Sequence, residues 1–363
     1  MSTAKPKQRD FVAERLRNQK LSSPTFKDPA DVVRWFGAVQ AQDFHGAKWA
    51  LALRMRKATN ASVEEAFNRG EIVRTHLLRP TWHFIAPDDI RWLLQLSGPR
   101  VNQRCSGTYS KYELDATIFK RTNRAITKAL EGEKHRTRTE LKAALNRAGV
   151  VANDGVRLAH ILLRAELDGV VCSGPRRGNQ FTYALLDERV PQGKQFSRDE
   201  ALAELTRRYF RSHGPATLAD YVWWSGLTTN DARRGIAILD RELEAAHIEG
   251  TSYWSPNKSR RSENSAAEAH LLPAYDEYNV AYKNRQHVFD QSAVSQITTW
   301  GALGPTVIVN GRIVAIWKAI LGRNSIDISV EFARSLNTNE ALAVRKAATR
   351  YAAFIDLPGR ILI

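Results

Sequence analysis

The stretch HRTRTELKAALNRAGVVANDGVRLAHILLRAELDGVVCSGPRRGNQFTYALL, residues 135–186, decides the reading of the fold. Thr137 and Glu140 stand three apart just ahead of Leu141, the spacing of a helix-opening capping box. Leu141, Ala144, Leu145 and Ala148 then recur on one helical face until Gly149 ends the run. Asp154 opens a second helix, with Leu158, Ile161, Leu162 and Ala165 inward and Gly169 at its end. Two short strands are predicted at 170–172 and 180–185, joined by Ser173-Gly174-Pro175-Arg176-Arg177-Gly178-Asn179. Upstream, Ile118, Thr122, Ile126 and Leu130 mark a helix over 118–130, and 135–138 is a polar break. The order is helix, helix, helix, hairpin.

That is the order of a winged helix, in which the third helix reads a DNA groove and the hairpin tip is the wing. Arg157, His160 and Arg164 share a face apart from the apolar one and are expected to face DNA. Arg176 and Arg177 are the expected wing contacts. The same order recurs loosely on both sides. The first copy has helices predicted at 10–18, 29–36, 47–55 and 62–68, a hairpin at 71–86, and a further helix starting at Pro87-Asp88-Asp89. An insertion between Phe36 and Ala47 departs from the plain pattern. The third copy begins near Arg198, with Thr217 and Asp220 capping one helix, Thr228 and Asp231 the next, and Ser225-Gly226-Leu227 between them. A strand at 243–247, a hairpin at 305–317 turning at Asn310-Gly311, and a closing helix at 338–354 complete it. Residues 255–268, with Lys258, Arg260 and Arg261, read as an exposed basic loop. The expected fold is mainly α with small β-hairpins (α+β). It divides into winged-helix modules at 1–98, 99–190 and 191–363.

The chain has 363 residues, 54 Lys and Arg against 38 Asp and Glu, and a net charge of +16. A basic excess of this size favours a polyanionic partner through attraction and counterion release. From Arg100 to Arg147 there are twelve Lys and Arg against five Asp and Glu. No run approaches the roughly 18 apolar residues of a membrane helix, and residues 1–10 are polar and basic, unlike a signal peptide. Two cysteines, Cys105 and Cys172, argue against a disulfide framework or a cysteine zinc site. The expected location is cytoplasmic, at the nucleoid.

The chain lacks a Gly-rich phosphate loop, a His-Glu-x-x-His and a Gly-x-Ser-x-Gly, and its nine histidines show no metal-ligand spacing. No metal or organic cofactor is expected. The segment Ala38-Val39-Gln40-Ala41-Gln42-Asp43-Phe44 stands out between Gly37 and Gly46. Two glutamines two apart point the same way on an extended loop. Amides hold and orient; they are not general bases at neutral pH. Alone, such a pair is more often structural than functional.

Further segments lie downstream: Arg74-Thr75-His76-Leu77-Leu78-Arg79-Pro80-Thr81-Trp82-His83, Gly214-Pro215-Ala216-Thr217, Tyr221-Val222-Trp223-Trp224-Ser225-Gly226-Leu227, Leu271-Leu272-Pro273-Ala274-Tyr275-Asp276-Glu277-Tyr278 and Val309-Asn310-Gly311-Arg312-Ile313-Val314-Ala315-Ile316-Trp317. In this order, with the Gln pair, the chain resembles the AlkZ/YcaQ-type family of winged-helix DNA glycosylases from about Asp10 to its end. The resemblance implies three tandem winged-helix motifs in a C shape around duplex DNA. It implies a catalytic Gln-x-Gln whose polar positions fall on Gln40 and Gln42, as in the AlkZ-like branch, which excises N-alkylated purines and unhooks interstrand crosslinks. The chemistry suits amides. An N7-alkylguanine is already cationic, so its base leaves without a general acid, and what remains is to place a water and support an oxocarbenium-like sugar.

Supporting residues at that cleft are expected among Asp43, His83, Tyr275 and Asp276; for Asp43, a helix cap is the commoner role. Arg79 and Arg312 are expected DNA contacts, and Trp82, Trp223 and Trp224 are expected core residues. The expected activity is monofunctional, leaving an abasic site, and the expected protein is a monomer. Two other readings stay open at this point: a non-catalytic winged-helix regulator, and a protein that holds lesions for other repair factors. A fold alone does not choose among them.

Overall fold

The structure is a computed structural model and describes residues 11–257, 267–290 and 303–362. Local caps set most helix starts. Thr137 Oγ1 accepts from Glu140 N–H and Glu140 returns a carboxylate to Thr137 N–H, as the spacing predicted. The same reciprocal pair starts helices at Ser197/Glu200 and Thr217/Asp220, and Asp154 caps its helix through Val156 and Arg157 N–H. Each such cap contributes about 1 kcal/mol.

The chain begins with α1 (Phe11–Asn18) and α2 (Pro29–Phe36), then the short strand β1 (Val39–Gln40), α3 (Phe44–Ala52) and α4 (Asn60–Arg69). The strands β2 (Val73–Leu77) and β3 (Thr81–Ile85) follow, and β1 pairs antiparallel with β3 to make a three-stranded sheet of order β1-β3-β2. The Gln segment, expected as an extended loop, is therefore partly a strand. Helix α3 starts three residues earlier than expected because Asp43 caps it, accepting from Gly46 N–H at 3.1 Å. A 22-residue helix, α5 (Ile90–Lys111), leads into α6 (Ala116–Leu130), β4 (Arg136–Thr137), α7 (Arg138–Arg147), α8 (Gly155–Leu167), β5 (Val171–Ser173), β6 (Thr182–Leu185) and the single turn α9 (Leu186–Arg189). The expected break at 135–138 includes β4, which pairs with β6. Then come α10 (Arg198–His213), α11 (Leu218–Ser225), α12 (Thr229–Ile238) and the hairpin β7 (Leu243–Ile248)/β8 (Thr251–Pro256).

The last part departs from the expected third copy. The predicted hairpin at 305–317 does not pair with the strand at 243–247. Its strands, β10 (Thr306–Val309) and β11 (Arg312–Leu321), lie inside a five-stranded sheet with β9 (Ala269–Leu272), β12 (Ile326–Phe332) and β13 (Gly359–Leu362). The turn at Asn310-Gly311 is as predicted: both residues have positive φ, 49° and 77°. The single turn α13 (Glu277–Val280) follows β9, and α14 (Thr338–Ile355) packs on the sheet. Of the expected basic loop at 255–268, Ser255 and Pro256 belong to β8, while Lys258, Arg260 and Arg261 lie outside the described residues.

Two apolar cores run through the molecule. One joins α5 through α8 to α10 and α11; the other joins α2 through α4 to the five-stranded sheet and α14. Both draw on the stretch 38–86, so the sheet carrying Gln40 sits where the two cores meet. Polar bonds tie it to its neighbours. Arg74 N–H donates to Ser173 Oγ on β5, and His76 bonds Glu166 of α8 through both its N–H and its ring.

Candidate active site around Gln40 and Gln42

Register places Gln40 opposite His83 across β1 and β3, and Thr75 opposite His83 across β2 and β3. Residues directly opposite in an antiparallel ladder share a face, so Gln40, His83 and Thr75 form one buried polar row. Gln40 is 7% exposed and His83 1%. Ala41 points the other way into the core, and Gln42, two residues on, is exposed.

Gln40 is held from two directions. Its backbone N–H donates to Glu277 Oε1 at 2.8 Å, and its side-chain Oε1 accepts from Arg79 Nη2 at 3.1 Å. Arg79 sits in the tight connection between β2 and β3. Gly226, at the turn between α11 and α12, docks against that connection so closely that a Cβ there would lie 2.2 Å from Leu78 O. Its φ of 68° also suits glycine. Gln42 is less constrained, its Oε1 being 3.4 Å from Trp82 N–H.

His83 donates from Nδ1 to Thr81 O at 2.9 Å, because a carbonyl can only accept. In a neutral ring this leaves Nε2 as a buried acceptor. Burial, and then the charge of Arg79, push the His83 pKa down to about 3, so the ring is neutral at physiological pH. His83 Nε2, Thr75 Oγ1, Thr81 Oγ1 and Arg79 Nε are buried without a hydrogen-bond partner among the described residues. Leaving such groups unpaired costs about 1–3 kcal/mol each. Their gathering around Gln40 is what a polar ligand site requires.

Glu277 was not foreseen from the sequence. Its carboxylate is 1% exposed and accepts from Gln40 N–H, from Trp224 Nε1 at 2.8 Å, and from His213 Nε2 at 3.3 Å. Burial pushes its pKa up, but the bonds from His213, Gln40 and Trp224 outweigh that and hold it below the usual carboxylate range. The segment at 271–278 did point here, though to the neighbouring residues. Asp276 turns away and forms a bidentate pair with Arg54, both bonds 2.8 Å, while capping α13 through Tyr278 N–H. Tyr275 is half-buried with a positive φ of 60°, its N–H donating to Leu303 O.

The expected DNA contacts divide. Arg177 is 54% exposed in its side chain, although it pairs with Glu140, and Arg312 is exposed at the β10–β11 turn. Arg176 is not an exposed wing residue. Its side chain is 8% exposed and pairs with Glu64 at 3.0 Å, because the β5–β6 connection docks on α4. The α8 face is likewise occupied: Arg157 bonds Tyr112 O and Val151 O, His160 packs on Tyr109, and Arg164 pairs with Asp168 over the Phe119 ring. Long α5 lies across that face, which the sequence pattern of α8 could not show. Two tryptophan expectations are also corrected. Trp223 is 41% exposed, its indole N–H bonded to Val280 O, and Trp82 is half-buried between His76 and the Arg74 guanidinium. Trp224 is core, as expected.

No cluster of three or more His, Cys, Asp or Glu side chains arranged for a metal occurs among the described residues. No described helix is long and apolar enough to cross a membrane.

The chain is 26% identical over 336 residues to an interstrand DNA cross-link repair glycosylase of Streptomyces sahachiroi, covering 86% of this chain and 88% of that protein. The fold is similar to that of the solved structure of Streptomyces sahachiroi DNA glycosylase AlkZ, with a TM-score of 0.79 and 22% identity over 97% of this chain and 98% of that one. The model of the family described as DNA glycosylase AlkZ-like matches residues 33–354, and the chain belongs to that family.

Proposed function

We propose that this protein is a monofunctional DNA glycosylase that hydrolyses the N-glycosidic bond of cationic N-alkylated purines, of the N7-alkylguanine type, in duplex DNA. It also unhooks interstrand crosslinks made through such purines. The observation that carries the reading is the polar row at Gln40, with exposed Gln42 at its end and, among the described residues, no exposed carboxylate bonded to either side-chain amide. A site that must protonate a leaving base needs an acid, whereas an N7-alkylpurine brings its own positive charge.

The geometry divides the work between the amides. Gln40 Oε1 is already bonded to Arg79, so Gln40 has one lone pair left and serves chiefly to orient. Gln42, with a long bond to Trp82 N–H, offers its carbonyl oxygen to a water beside the departing base and to the developing sugar cation. His83 Nε2 adds a neutral acceptor on the same row. Lys48, the lysine nearest the Gln pair in sequence, is bound to Glu64 and 1% exposed in its side chain, which disfavours an amine attack on the sugar. The product is then an abasic site without a nick.

Duplex DNA is the partner implied by the net charge of +16. The three helix–hairpin assemblies, one in each of 1–98, 99–190 and 191–363, are read as winged-helix modules arranged in a C around that duplex. The protein works as a monomer at the nucleoid. Among the described residues, the exposed Lys120, Arg124 and Lys128 of α6 offer cations to phosphates, as do Arg177, which also pairs with Glu140, and Arg312, which also bonds His287 O and Phe289 O.

The test is a duplex carrying one N7-methylguanine, incubated with wild type, Gln40→Ala and Gln42→Ala and then cleaved with alkali at abasic sites. Product from wild type and a 100-fold or greater loss in Gln42→Ala, a magnitude typical of removing one electrostatic catalytic group, support the reading when DNA affinity is unchanged. Wild type that binds duplex yet releases no base from this lesion or a crosslinked duplex overturns it in favour of a non-catalytic DNA-binding protein.

A further inference from the structure

Arg79 poses a difficulty for a site that handles cations. Its guanidinium donates to Gln40 Oε1, and Arg104 and Arg285 add positive charge around it. An N7-alkylpurine is cationic in the ground state, and the sugar becomes cationic as the base leaves. These arginines, Arg79 and Arg285 partly buried and Arg104 exposed, would repel both. The acid acting on Arg79 is Glu277, which also acts on His83. Asp220 acts on Arg285, whereas Glu277 acts on Arg79, the arginine bonded to Gln40.

We propose that Glu277 is the positioning residue of this site: it anchors the strand of Gln40 through the backbone N–H and supplies the negative charge that offsets Arg79, so that the cleft tolerates a cationic base and a cationic sugar. The inference rests on the glycosylase reading above and concerns a group that touches neither base nor sugar.

Three features separate this from a carboxylate kept for packing. First, its partners are all donors: the Gln40 N–H, the Trp224 indole and the His213 ring. Second, two of its three partners, the Gln40 N–H and the Trp224 indole, are neutral groups, and burial lowers the pKa of the third, His213. The carboxylate charge is therefore not cancelled by its direct partners and extends toward Arg79 and Gln40. Third, the assembly is rigid. Glu277 lies in α13, whose first turn is capped by Asp276, itself fixed by Arg54.

The experiment compares two abasic-site analogues in otherwise identical duplexes: a pyrrolidine, cationic at neutral pH, and an uncharged tetrahydrofuran. Wild type is expected to favour the pyrrolidine. Glu277→Gln is expected to lose that preference by about 10- to 100-fold, the scale of one charge acting across a few ångströms of partly shielded protein. Affinity for undamaged duplex should be unchanged, and the single-turnover excision rate should fall by a similar factor. Glu277→Asp, which keeps the charge, should retain most of the preference. A role in packing alone would weaken both analogues equally.

Because Gln offers an amide N–H where three donors converge, Glu277→Gln can fail to fold. Arg79→Gln then carries the test with the opposite sign: the site becomes more negative and the preference for pyrrolidine rises. Wild type that excises and prefers the cation, with that preference unaltered in Glu277→Gln or Arg79→Gln, overturns the inference while leaving the glycosylase reading intact. Wild type that neither excises nor discriminates overturns the reading on which the inference rests, and the inference with it.

Discussion

Asp276→Ala separates a structural carboxylate from an active-site one. In the native protein Asp276 is 0% and Arg54 1% exposed in their side chains, and the pair shares two bonds of 2.8 Å. Removing the carboxylate leaves Arg54 buried with three neutral acceptors, Ala50 O, Gln19 O and Gln19 Oε1, and no counter-charge. Breaking a buried pair from one side costs about 3–5 kcal/mol. The same carboxylate makes the cap bond to Tyr278 N–H, so that loss falls within the same figure. Against a total stability of about 5–15 kcal/mol this is a large fraction. Urea unfolding followed by tryptophan fluorescence should show a lower midpoint at nearly unchanged slope. Excision per folded molecule at low temperature should fall by less than in Glu277→Gln, because Asp276 points away from Gln40 and reaches the site only through the cap of α13. A stability loss below about 1 kcal/mol, or a fully folded variant that has lost excision, would refute this placement and make Asp276 a functional group.

Arg176 and Arg177, both on the β5–β6 connection, should behave differently from each other. Arg177→Ala should weaken duplex binding whatever the sequence and flatten the log–log salt dependence by about 0.9 for each phosphate that is no longer neutralised. Arg176→Ala should act on stability, since it removes one of the two buried cations, Arg176 and Lys48, that pair with Glu64; equal salt slopes for the two variants would contradict their placement. Stability should also fall on the acid side of neutrality. His83, at about 3, and His287, lowered to about 2 by burial and then by Arg15 and Arg312, stay neutral when folded, whereas unfolded rings take up protons below about pH 6.5. The unfolded chain then binds more protons, so stability is full above pH 6.5 and decreases as pH falls toward 3, by up to about 1.4 kcal/mol per unit per ring. His83→Gln should show a shallower fall in melting temperature between pH 7 and 5; an identical profile would show that His83 is accessible to protons in the native state.

Much of this protein was legible from neighbours in sequence. The starts at Thr137, Asp154 and Thr217, and the Asn310-Gly311 turn, appear where the spacing put them. Such features need only residues two to four apart, so the chain carries them locally. The stripes of α6 and α8 were equally plain: Ile126, Leu130, Leu158, Ile161 and Leu162 are all buried. The AlkZ-like family was also recognisable, from short segments whose order the sequence preserves.

Tertiary structure decided what those side chains meet. Arg157, Arg164 and Arg176 look like free cations in the sequence, but α5, Asp168 and α4 reach them first. The strands β9, β12 and β13 gain their partners from one sheet, and no local pattern announced that sheet. The site shows the same division. Gln40 and Gln42 could be found by their spacing, but Glu277 lies 237 residues from Gln40 and beside an acid that turns the other way. In sequence, Asp276 and Glu277 are adjacent carboxylates with no difference to choose by. The backbone at α13 sends one to Arg54 and the other to the Gln40 strand, because only the folded chain determines which buried donors each carboxylate can reach.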